Sequence, residues 1–165
     1  MLLALLTLQG CASRQRTTPG APGAPAAAGS AAASDARADA SLVGERQWLQ
    51  SWFAGTPVVI TQRRDGPVQI EIPREFCFDA GRSAVKPALA AVLDKVAQSL
   101  RRTPQARLAL VAAPGDSAAS TPLPLQRATQ IRAHLLSRGV PAAQLGSPSR
   151  TEATAVQLQM DIVAL

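Results

Sequence analysis

Residues 76–100 read FCFDAGRSAVKPALAAVLDKVAQSL. The stretch has the pattern of a strand end, a turn and a helix. Leu89, Val92, Leu93, Val96, Ala97 and Leu100 recur at helical spacing and make one apolar stripe. Asp94, Lys95, Gln98 and Ser99 mostly face the other way. Pro87 suits the first helical turn, where a missing N–H is no loss. Arg101 and Arg102 suit a helix C-terminus, and Pro104 stops the chain soon after. A one-sided helix needs a sheet or another helix to cover it.

The flanks supply both. Upstream, Val68, Ile70 and Ile72 alternate with Gln69 and Glu71, as in a strand with one buried face. Pro73 interrupts it, which suits an edge or a bulge. Before that, Val58, Val59 and Ile60 form a candidate edge strand, and Asp65-Gly66 reads as a turn. Gly44 to Phe53 reads as a short helix with Trp48, Leu49, Trp52 and Phe53 on one side, where they cap the core.

Downstream, Arg107 to Val111 is a short apolar strand. Strand, helix and strand in this order form a crossover unit, expected to be right-handed and parallel. A Pro/Gly/Ser loop spans Ala112 to Leu123. A second helix runs from about Leu123 to Arg138, with Leu125, Ala128, Ile131 and Leu135 inward and Gly139 as its C-cap. Val156, Leu158, Met160 and Ile162 then alternate with Gln157, Gln159 and Asp161. The expected fold is α+β: a β-α-β-α-β sandwich over 44–165, with two helices on one face of a small mixed sheet of three or four strands.

The formal net charge is +6, carried mostly by Arg. A basic balance suits nucleic acid, anionic lipid or another acidic polymer. The Arg residues are scattered, however, with only Arg63-Arg64 and Arg101-Arg102 adjacent, and no aromatics lie among them. That pattern argues against nucleic acid.

Met1 to Leu8 is far too short to cross a bilayer as a helix, and it resembles the apolar core of a secretory signal. Leu8-Gln9-Gly10-Cys11 resembles a bacterial lipobox, although Gln9 stands where a small residue is usual. Residues 1–10 are therefore read as a lipoprotein signal peptide and Cys11 as the acylated residue. Several acyl chains anchor stably, because each buried methylene adds about 0.8 kcal/mol. Ala12 follows the Cys; in the lipoproteins this resembles, an Asp there favours retention in the inner membrane, so the resemblance points to the outer membrane. Residues 11–43 are then an anchored Cys and a flexible linker rich in Ala, Pro, Gly and Ser, with a root-mean-square span of roughly 30 Å. The alternative is an Ala-rich helix around residues 25–40, against which the preceding Pro and Gly residues argue.

Residues 78–116, FDAGRSAVKPALAAVLDKVAQSLRRTPQARLALVAAPGD, together with LQRATQIRAHLLSRGVPAAQL at 125–145, resemble the OmpA-like periplasmic domain. The shared features are Phe-Asp-x-Gly, a helix, a strand, an Asp-bearing loop and a second helix with an Arg-Ala pair and a Gly-Val-Pro-Ala ending. A lipobox and linker in front is similar to peptidoglycan-associated lipoproteins. The resemblance implies non-covalent binding of peptidoglycan through the diaminopimelate of its stem peptide. It implies that Asp116 takes the ammonium group and Arg127 a carboxylate, with Ser120 nearest to the family's usual loop Asn. An acid, a forked cation and a helix N-terminus suit a zwitterionic ligand. The sequence departs from the family at Ala113-Pro114-Gly115, which replaces Gly-His-Thr, and at Pro124, which replaces a capping Ser. The loop is also shorter, and the family's Arg-rich final motif is missing.

Enzymatic chemistry finds no support in the residues. His134 is the only His and reads as surface or boundary. No His/Cys/acid cluster has metal spacing, and no phosphate loop or nucleophile elbow is present, so no cofactor is expected. Cys77, between two Phe residues, reads as a small buried apolar side chain. Two functions remain. One is an outer-membrane lipoprotein that ties membrane to cell wall. The other is an interaction subunit of an envelope complex, such as a secretion or motility apparatus, that keeps the fold without the ligand.

Overall fold

Val68, Ile70 and Ile72 of β2 (Val68–Pro73) pair in register with Met160, Leu158 and Val156 of β5 (Ala155–Ile162). Strict alternation on both strands puts these side chains on one face and the Gln residues on the other. The computed structural model describes residues 26–62, 66–117 and 122–162. The expectations for Cys11 and Ser120 fall outside them. β1 (Val59–Gln62) adds Ile60 beside Ile70. β3 (Ala106–Pro114) adds Leu108 beside Met160 and Val111 beside Leu158. β4 (Pro148–Thr151) pairs parallel to β3, giving a five-stranded sheet in the order β1-β2-β5-β3-β4. β2 and β3 both run antiparallel to β5 between them, so they are parallel to each other without being neighbours.

The sheet has one strand more than expected. β4, Pro-Ser-Arg-Thr, carries no apolar alternation, and as an edge strand it tolerates its Pro. β3 holds a bulge. The pairing passes from Leu108↔Met160 to Leu110↔Gln159, so Ala109 is an extra residue. The extra residue reverses the phase, and Leu108 and Val111 both reach the core. Gly146 approaches here: its N–H donates to the Leu108 carbonyl at 2.8 Å, and a Cβ on it would overlap the Ala109 carbonyl.

One helix is a single turn, α2 (Arg74–Cys77). The helix α3 (Pro87–Arg102) buries the whole expected stripe, Leu89 through Leu100, and has Pro in its first turn. Each Leu or Val of the stripe contributes about 1.5–3 kcal/mol when fully buried. Ser99 differs from expectation in being buried. Its hydroxyl donates to Glu45 at 2.6 Å, because a further helix covers that flank.

That helix is α1 (Ala26–Trp52); over 26–43 it stands in place of the expected flexible linker, as in the alternative of an Ala-rich helix around 25–40, and it runs through the expected boundary at 44. Pro19, Pro22 and Pro25 all precede Ala26, and none follows until Pro57. From residue 26 onward, Ala and other strong helix formers meet no breaker stronger than Gly. Leu42 and Leu49, two turns apart, are buried in the core. Gln50 donates to the Ile60 carbonyl at 2.9 Å, which covers part of the β1 edge.

The helix α4 (Leu123–Ser137) lies over β3 and β4. Its inward residues are Pro124, Arg127, Ala128, Ile131 and Leu135. Leu125, expected inside, is 52 % exposed. Gly139, at φ 80°, follows its C-terminus as anticipated. His134 of α4 and Arg138, which caps it, both meet Asp94 of α3 at 2.7 Å and clasp the two helices together.

Candidate ligand-binding site

The FDAG segment forms a tight turn, closed by the Arg82 N–H donating to the Asp79 carbonyl at 3.0 Å. Gly81 sits at φ 68°, a backbone conformation that disfavours any side chain. The turn aims the Gly81 N–H at Asp116, which lies just past the end of β3 and accepts it on Oδ2. The same turn directs the carbonyls of Asp79 and Arg82 inward, toward α4.

Arg127 fills that receptor. Its Nε donates to the Arg82 carbonyl at 2.9 Å, Nη1 to the Pro114 carbonyl at 2.9 Å and Nη2 to the Asp79 carbonyl at 3.1 Å. Nη2 also pairs with Asp116 Oδ1 at 2.8 Å, and the guanidinium stands 4.9 Å from the Phe78 ring centroid. Arg127 has no exposed surface. A buried charge persists only when paired and hydrogen-bonded, and here backbone carbonyls and one carboxylate meet both needs.

Asp116 keeps 31 % of its side chain exposed. The Gly81 N–H, and then the Arg127 and Arg74 guanidiniums, hold its carboxyl below the usual carboxylate range against a partial desolvation penalty. At neutral pH it is a fixed, accessible negative charge. Arg74, at the head of α2, donates to the Gly115 carbonyl at 2.9 Å and lies 3.8 Å from Asp116 Oδ1. Lys86 and Asp79 pair at 3.3 Å on the outer rim. Pro124 packs near Gly115, and α4 has no side-chain cap at its N-terminus, as the missing Ser foretold.

Of the expected site residues, the structure brings Asp116 and Arg127 into direct contact. It encloses Arg127, where the resemblance expected a cation facing a ligand. Ser120 is not among the described residues. Sequence reasoning missed Arg74, Gly81 and the carbonyls of Asp79 and Arg82. Gly81 carried a signal, the fixed Gly of the motif; Arg74 carried none. Among the described residues, no group of three His, Cys, Asp or Glu side chains suits a metal ion, and no helix is long and apolar enough to cross a membrane.

A second surface lies along the first half of α3. An apolar groove of ≈ 360 Å³ opens between Trp52, Phe53, Val58, Phe76 and Val92. Trp52 is 53 % exposed, and Lys95 stacks over its ring at 3.2 Å.

No family model and no curated protein matches this sequence. Solved structures do. A putative MotB-like protein from Desulfovibrio vulgaris superposes with a TM-score of 0.62 at 11 % identity, over 79 % of this chain and 97 % of that one. The periplasmic domain of MotB from Helicobacter pylori matches with a TM-score of 0.53 at 19 % identity, over 64 % and 85 % of the two chains. Another MotB periplasmic-domain structure gives 0.56 at 18 % identity, over 68 % and 72 %. At such identities the likeness is one of fold. It agrees with the divergent OmpA-like architecture expected from the motifs.

Proposed function

We propose that this chain is an outer-membrane lipoprotein, acylated at Cys11, whose periplasmic domain binds peptidoglycan non-covalently and links the membrane to the cell wall. The observation that carries the reading is the contact between Asp116 and Arg127 at 2.8 Å, with Asp116 ionised and accessible. Asp116 receives the ammonium group of diaminopimelate. Arg127 holds that carboxylate in place and supplies positive charge beside it, and Ser120 completes the loop side. The lipobox resemblance at 8–11 supports the anchor, and the MotB-like fold supports a place in the envelope. The test is co-sedimentation of the full chain, in mild detergent, with purified sacculi. The parent is expected to sediment with them, and Asp116→Ala to lose about tenfold or more in affinity. A parent that stays in the supernatant ends this reading. Palmitate labelling of cells, lost in Cys11→Ser, tests the anchor separately.

A second reading is a subunit of an envelope complex that uses the fold without the ligand. The exposed Trp52 beside the apolar groove favours it. Cross-linking in whole cells that recovers protein partners through this groove, together with no retention on sacculi, is its expected outcome.

A further inference from the structure

Arg127 cannot easily meet a ligand. A guanidinium has five N–H donors. Four contacts already engage Arg127: three backbone carbonyls and Asp116. A carboxylate bound in the usual two-pronged way needs two N–H groups along one edge. Each edge of Arg127 already faces protein acceptors, and the residue has no exposed surface. Binding there means displacing backbone carbonyls from a buried guanidinium.

Arg74 offers what Arg127 does not. Its side chain is 38 % exposed. Only Nη1 is engaged among the described residues, with the Gly115 carbonyl at 2.9 Å and Asp116 Oδ1 at 3.8 Å. The edge formed by Nε and Nη2 has no acceptor among those residues. The backbone is pinned on both sides. The Arg74 N–H donates to the Thr154 carbonyl at 3.2 Å, and the Arg74 carbonyl accepts from the Phe78 N–H at 3.0 Å. Asp116 and Arg74 are therefore an accessible acid and an accessible guanidinium side by side at this site.

We infer that Arg74, rather than Arg127, receives the carboxylate of the ligand, and that Arg127 is a positioning residue for Asp116. The inference rests on the reading that Asp116 takes an ammonium group. The ligand is then an amino acid whose ammonium and carboxylate sit on one carbon, and Arg74 is what selects for the carboxylate.

Two soluble stem peptides test this, one with meso-diaminopimelate at the third position and one with lysine. Lysine offers the ammonium without the extra carboxylate. The full chain in detergent is expected to prefer the diaminopimelate peptide by about tenfold or more, the scale of a charge-assisted pair. Arg74→Gln is expected to bring that ratio close to one. Arg74→Lys is expected to recover part of the preference. Thermal melts of each variant report on folding, and the ratio of the two affinities is insensitive to a partly unfolded fraction. If Arg74→Gln keeps the parent's preference, the inference falls and the reading of Asp116 stands. If the parent binds neither peptide nor sacculi, both fall together.

Discussion

Arg127 Nη2 and Asp116 Oδ1 lie 2.8 Å apart, one residue wholly enclosed and the other reaching solvent. The pair joins the start of α4 to the end of β3, and the FDAG turn closes around it through the Gly81 N–H and the carbonyls of Asp79 and Arg82. A single guanidinium thus organises three separate segments. Its removal bears on folding before it bears on ligand.

Arg127→Met is accordingly expected to destabilise the domain by about 3–5 kcal/mol, since the carbonyls of Asp79, Arg82 and Pro114 and the Asp116 carboxylate each lose a donor. Arg127→Lys keeps the charge but not the fork, and is expected to recover only part of the loss. Urea unfolding followed by Trp fluorescence measures both. A Met variant as stable as the parent refutes the organising role.

Acid should weaken the same pair. The folded carboxyl of Asp116 lies below its unfolded value of about 3.9. Its stabilisation is therefore complete above that value and is lost as pH falls through the lower, folded one. Asp116→Asn is expected to be less stable than the parent at pH 7 by about 1–2 kcal/mol. Melting curves at pH 7, 4 and 2.5 should show the gap between the two narrowing with acid. A gap that stays constant contradicts the assignment.

Two glycines predict opposite outcomes for one substitution. Gly146→Ala forces a Cβ into the Ala109 carbonyl at the bulge, where the backbone has little room to give, and is expected to cost about 1–3 kcal/mol. Gly44 lies within α1 with nothing within 4 Å of its missing Cβ. Gly44→Ala is expected to stabilise by about 0.5–1 kcal/mol, through helix propensity alone. Thermal unfolding of the two variants against the parent decides both signs.

Cys77 is fully buried, and its thiol lies near the carbonyls of Pro73 and Ile72. Burial, and then the Glu75 carboxylate, push its pKa up to about 12. The thiolate is therefore scarce at neutral pH. Iodoacetamide at pH 8 is expected to leave Cys77 unmodified in the folded chain and to alkylate it once denaturant is added, as read by mass spectrometry. Rapid native modification argues against this packing.

The local elements were legible because their signals are local. The stripe from Leu89 to Leu100, the alternation in Val68–Ile72 and Val156–Met160, and the Gly139 terminus each depend on residues a few positions apart. The choice of Asp116 and Arg127 as a pair was legible too, through the resemblance of the motifs around them. What only the tertiary structure decided depends on distant partners. β4 becomes a strand because β3 offers it an edge, and residues 26–43 are helical up to a Leu42 that finds a place in the core. The rotation of α4 turns Leu125 outward and Arg127 inward, a reversal that hydrophobicity alone argues against. It occurs because carbonyls from two segments, the turn at 79–82 and the end of β3, assembled only on folding, solvate the guanidinium in place of water. That enclosure also leaves Arg74, unremarkable in the chain, as the exposed cation beside Asp116.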